Sequence, residues 1–139
     1  NAGIQVWANM VAVKAYSYDF MNFESQLSNL QKYFISASWE KFQAALKKAG
    51  ILDLVRTQKM VVSSVAMGAV IVSDATVENG VYRWRVVMPL RVSLANVSDQ
   101  IEQRLNLSMT IIRTTGSSGV MGLAVKDFTA QKLPDVDKK

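Results

Sequence analysis

The stretch from Tyr82 to Val92 constrains this chain most, because its residue types alternate along it. Tyr82, Trp84, Val86, Met88, Leu90 and Val92 share one parity, while Arg83, Arg85, Val87, Pro89 and Arg91 share the other. Successive strand residues point to opposite faces, so the pattern predicts a strand with one face in the core and the other meeting water or a partner. Asn79-Gly80 stands just before it. That dipeptide suits a two-residue type I′ hairpin, in which both turn residues take positive φ. The preceding strand then runs antiparallel, with Val77 opposite Tyr82, Ala75 opposite Trp84 and Asp74 opposite Arg85. The last pair is oppositely charged and supports the register.

Upstream of this hairpin the apolar period is helical. Ile4, Trp7, Ala8, Val11 and Ala15 predict a helix over 3–18. Asp19 can cap a second helix with its carboxylate. Phe20, Phe23, Leu27, Leu30 and Phe34 would form that helix's apolar stripe, and packing on a sheet explains such a stripe better than an aromatic pocket does. A third helix starts at Ser36 or Ser38, with Glu40 in its first turn and Lys47 and Lys48 in its last, both suited to the helix dipole. Trp39, Phe42, Leu46 and Ala49 make its inner face, and Gly50 ends it in the left-handed conformation. A short turn or helix follows over 51–56.

From Lys59 the period becomes alternating. The expected strands are 59–78, bent near Ser63-Ser64 or Gly68, then 81–94, 104–114 and 120–128, with a flexible turn at 116–119. Helices followed by a meander of strands give an α+β fold. It has N-terminal helices packed on a strongly curved, roughly four-stranded antiparallel sheet, since the face carrying Trp84 would otherwise be an exposed apolar patch. The 139 residues fit one domain, 1–131, followed by a disordered tail, 132–139, with a proline and charges at both ends.

Composition narrows the chemistry. The chain has no Cys and no His, which removes thiolate chemistry along with the commonest general base and the commonest metal ligand. No phosphate-binding loop is present, because the 116–119 glycines lack the following Lys and join strands. Asp53, between Leu52 and Leu54, is the one carboxylate placed for partial burial, and pairing with Arg56 is the plainer explanation. No catalytic residues, cofactor or metal site are expected. The net charge of +5 is spread without a run of like charges. Arg83, Arg85 and Arg91 lie on the face opposite the aromatics, whereas single-strand nucleic-acid binders place cations and aromatics together. Direct nucleic-acid binding is therefore not expected. The same three arginines beside Val87 form a candidate partner-binding face, since Arg can pair and pack at once; the alternative is a face kept charged for solubility.

Several stretches resemble one family. They are Gln5-Val6-Trp7-Ala8; Tyr18-Asp19-Phe20 with Asn22, Gln26 and Leu27; Tyr33-Phe34, Trp39 and Phe42; 49–52; 59–63; and, most specifically, 80–90 with its Tyr82, Trp84, Met88 and Pro89. In order and spacing they resemble the periplasmic domain of the DotI/IcmL/TraM proteins of type IVB secretion and conjugation systems, with the basic character favouring TraM. Two positions depart from the pattern. Val70 stands after Gly68-Ala69 where relatives often carry Pro, and Arg91 follows Pro89-Leu90 where they tend to be apolar.

The resemblance implies a cystatin-like cone, as in bridging subunits of other type IV systems. It also implies a non-catalytic assembly subunit in the inner-membrane part of the machine, anchored through a membrane helix preceding Asn1. The implied partners are copies of itself and other subunits. Two other readings remain: a small-molecule-binding or enzymatic domain on the same cone, marked by a cavity lined by Asp53 and a Tyr, and direct contact with transferred DNA.

Overall fold

The computed structural model describes residues 2–115 and 119–134. Four helices precede five strands: α1 (Ala2–Ala15), α2 (Phe23–Leu30) with a 3₁₀ turn at Gln31–Tyr33, α3 (Ser36–Lys48), α4 (Ile51–Gln58), β1 (Val61–Ala66), β2 (Ile71–Glu78), β3 (Val81–Ala95), β4 (Gln100–Arg113) and β5 (Leu123–Lys132). All strand pairs are antiparallel. β3 and β4 form the centre, β5 lies outside β4, and β1 and β2 follow one another along the far edge of β3.

The hairpin forms as its sequence dictates. Asn79 and Gly80 both have positive φ, and Asp74, Ala75 and Val77 stand opposite Arg85, Trp84 and Tyr82. From Trp84 to Leu94 every second residue of β3 is buried, and Leu105, Leu107, Met109 and Ile111 of β4 continue that inner face. Tyr82 is the exception at 57% exposed, because the tip of the hairpin runs past the helices that cover the rest.

The expected strand over 59–78 is two strands, giving five in all. The reason lies in Pro89, which sits in the middle of β3. The Pro89 carbonyl accepts from the Met67 N–H at 3.0 Å, and a strand residue's N–H and C=O face the same edge. The donor that proline lacks therefore falls on the edge where the chain leaves the sheet between β1 and β2. Gly68 packs there, since a Cβ on it would stand 3.3 Å from the Pro89 ring. The bend is made without a proline at position 70.

Asp19 caps a turn rather than a helix. Its Oδ1 accepts from the N–H groups of Met21 and Asn22, its Oδ2 from Gln26 Nε2, and its own N–H donates to Gln26 Oε1. That knot delays α2 to Phe23, so Phe20 lies outside the stripe and is 40% exposed. The Tyr18 backbone pairs with Val62 in both directions, and Ser64 Oγ donates to the Val13 carbonyl, fastening the end of α1 to β1.

α3 begins at Ser36, which leaves Glu40 beyond its first turn, while Lys47 and Lys48 lie in the last. Trp39, Phe42 and Leu46 are buried, and Gly50 takes the left-handed conformation, but Ala49 is exposed. The rings around Trp39 and Phe42 are those of Phe34, Phe128 and Tyr16, whereas Trp84 stacks on Tyr82 and lies under Arg113.

β4 starts four residues earlier than expected, and β5 runs from Leu123 through Lys132 rather than over 120–128. Lys132 pairs with Leu105, the Leu133 N–H donates to the Arg104 carbonyl, and the Arg104 guanidinium donates to the Pro134 carbonyl. Residues 116–118 of the expected turn and 135–139 of the expected tail lie outside the described residues.

Candidate functional site

β3 carries Arg83, Arg85, Val87 and Arg91 on the face turned away from the helices, as their parity requires. The sheet register sets their neighbours. Arg83 lies between Thr76 and Ile112, Arg85 between Asp74 and Thr110, Val87 between Ile71 and Ser108, and Arg91 between Val65 and Arg104. Arg83 is partly buried and its Nη1 reaches Glu78 Oε1 at 3.1 Å. Both groups keep contact with water, so the pair contributes about 0–1 kcal/mol. Among the described residues Arg85 and Arg91 have no ion pair within 4 Å, although Asp74 stands opposite Arg85. Arg91 and Arg104 are directly opposed on adjacent strands. Like charges in that position repel; Glu102, two residues from Arg104 on the same face, makes no ion pair with either within 4 Å.

Apolar groups run between these cations. Val87 and Pro89 are half-buried, and Ile71 beside Val87 is 59% exposed. The alternation of β4 already puts Arg104 on the face away from the core, but sequence reasoning did not place Ile71 or Val65 beside the arginines. Straight alternation from the hairpin would put Val72 beside Val87. A one-residue register shift between Val72 and Asp74 turns Val72 inward against the core and brings Ile71 out. The face therefore joins an apolar strip to the guanidinium groups of Arg85 and Arg91, which have no ion pair, and no helix among the described residues covers it.

The rest of the surface lacks the marks of a catalytic centre among the described residues. Asp53 is exposed and pairs with Arg56 at 2.7 Å. The shallow groove beside it, about 220 Å³, is lined by residues such as Leu27, Gln43, Leu52 and Arg56, with no tyrosine. The buried phenols lie elsewhere. Burial pushes Tyr16 up to about 12, and burial, followed by the charge of Tyr16, pushes Tyr18 up further. Both remain protonated at neutral pH, so neither can serve as a base. No group of three or more Asp or Glu among the described residues could hold a metal ion, and no helix among them is long and apolar enough to cross a membrane.

The family described as a type IVb secretion system inner-membrane complex component matches residues 1–132. The periplasmic domain of DotI superposes with a TM-score of 0.89 at 32% identity, covering 94% of both chains. An IcmL-like type IV secretion system protein from Legionella pneumophila superposes at 0.87 with 22% identity over 100% of this chain and 97% of its own. A periplasmic fragment of TraM gives 0.83 and 22%, over 92% of this chain and 94% of its own. Identity is higher with the DotI domain than with the TraM fragment, and the last two likenesses speak to fold alone. No curated protein sequence matches.

Proposed function

The chain belongs to the DotI/IcmL family of inner-membrane complex components of type IVb secretion systems, and from that premise we propose that it works without catalysis, as a periplasmic assembly domain. It is carried by a single-pass inner-membrane protein and contacts copies of itself and neighbouring subunits. The surface we assign to those contacts is the outer sheet face with Arg83, Arg85, Val87 and Arg91, extended by Ile71 and Val65.

The observation that carries this reading is the opposed pair Arg91 and Arg104 beside an exposed apolar strip. Like charges left facing each other on an uncovered sheet gain most when an acidic partner covers them. Anchoring in a membrane concentrates the subunits, so weak contacts through such a face are enough to hold an assembly.

The test replaces Arg83, Arg85 and Arg91 with Ser in the full-length protein. The expected outcome is an unchanged thermal midpoint with loss of partner co-purification and of substrate transfer. Normal recovery of partners with normal transfer would exclude this face. Binding of a single-stranded oligonucleotide that weakens steeply with salt, and that the triple variant abolishes, would instead favour contact with transferred DNA.

A further inference from the structure

The sheet does not reach the end of α3. Phe34 pairs with Val125 as an isolated parallel rung, the Ile35 N–H donates to the Val125 carbonyl at 3.2 Å, and Ser38 Oγ donates to the same carbonyl at 2.6 Å. The chain then turns into α3, so this sixth strand stops after one rung. Downstream of it, residues 129–132 of β5 are all exposed, and among the described residues no backbone bond is made on the edge facing away from β4.

Behind that free edge lies a cleft of about 670 Å³ between β5 and α3. Its floor includes Phe42, Leu46, Leu105 and Phe128. Small residues leave space between its walls: Ala45 on α3, Ala49 just past its end, and Ala130 on β5, all exposed. Ala49, which the spacing assigns to the apolar stripe of α3, therefore borders the cleft and stays exposed. The charged side chains around the opening are Lys41, Lys132 and Asp127, two cations against one anion. Phe128, Ala130 and Lys132 share the parity of the inner face, so a strand laid beside β5 would send alternate side chains into the cleft.

We propose that this cleft receives an extended segment of a neighbouring protein subunit, paired along the free edge of β5, with an apolar side chain in the cleft and an acidic one near Lys132 and Lys41. The main-chain bonds supply the attachment, and the floor and the lysines supply the selection. The strand is already paired with Phe34, so the incoming segment continues a ladder the chain has begun. This inference rests on the assembly reading above but uses a different surface from the outer face.

The test is amide hydrogen exchange on the full-length protein, extracted from membranes with its partners, against the isolated domain. The amides of Ala130 and Lys132, which face away from β4 because that of Leu133 is bonded to it, should exchange about tenfold more slowly, or slower still, in the complex. Ala45→Leu fills the cleft from the helix side. It should leave the thermal midpoint equal or higher and return those amides to the rates of the isolated domain, and Lys132→Glu should reduce the protection. Unchanged exchange at Ala130 and Lys132 in a complex that retains its partners would overturn this inference and leave the assembly role standing. Protection that survives Ala45→Leu would overturn it as well. Failure to recover any partner with the unaltered protein would remove the assembly reading and this inference together.

Discussion

Tyr18 gives the sharpest test of the packing. Its side chain is buried, and its hydroxyl is the buried side-chain polar atom that finds no partner among the described residues. A buried hydroxyl left unpaired costs about 1–3 kcal/mol, and phenylalanine has the same shape without it. Tyr18→Phe should therefore stabilise the domain by about 1 kcal/mol or more at neutral pH, which for a chain this size is a rise of about 3–5 °C in the midpoint.

The same burial sets the alkaline behaviour. Tyr16 is raised to about 12 from 10.0 by desolvation, and Tyr18 is raised by desolvation and by the charge of Tyr16. Above pH 10 the unfolded chain gives up these protons while the folded chain keeps them. The unfolded state then binds fewer protons, so stability falls as pH rises, by at most about 1.4 kcal/mol per pH unit for each phenol. For Tyr16 that amounts to about 2 kcal/mol between pH 10 and 12. Below pH 10 both contributions are fully present. Tyr18→Phe removes its own share of the alkaline loss, so its advantage should widen from pH 10 upward. Urea melts followed by tryptophan fluorescence at pH 7, 10, 11 and 12 measure both effects. A variant less stable than the parent by 1 kcal/mol or more at pH 7 would show that the hydroxyl has a partner. A difference that stays constant across pH 10–12 would refute the titration argument.

Two further substitutions separate packing from backbone conformation. Trp84→Ala removes a buried indole stacked on Tyr82 and covered by Arg113, and should cost about 3–5 kcal/mol in a denaturant melt; an unchanged melt would contradict the assignment of the inner face. Gly119 and Gly80 share the left-handed conformation, but a Cβ on Gly119 would lie 2.2 Å from the Leu123 carbonyl oxygen, while one on Gly80 meets nothing within 4 Å. Gly80→Ala should cost about 1–2 kcal/mol and Gly119→Ala clearly more, so equal losses in paired melts would show that the tight turn at Val120–Leu123 opens without cost.

What could be read from the sequence depended on how far a single period ran. The inner face of β3 was legible because one alternation holds from Trp84 to Leu94 and the turn at Asn79-Gly80 fixes where it starts. The arginine face followed from the same parity. Its apolar neighbours did not, because a single extra residue near Ser73 exchanges the faces of Val72 and Ile71, and nothing in the residue types marks that shift. A second shift between Thr110 and Ile111 does the same opposite β5. The helical stripe was misread at Phe20 for a related reason: the spacing was right, but the Asp19 carboxylate satisfies a turn before it can start a helix.

Ala49 carries the most weight of these departures. Its spacing from Phe42 and Leu46 assigns it to the inner face of α3, and its direction agrees, yet the sheet is absent opposite it. Periodicity reports which way a side chain points and is silent on whether anything meets it there. A stripe that is continuous in sequence but only partly covered in the folded chain is therefore a place where the sequence specifies more contact than one subunit supplies. On this domain that place adjoins a strand edge whose pairing begins at Phe34 and stops after one rung.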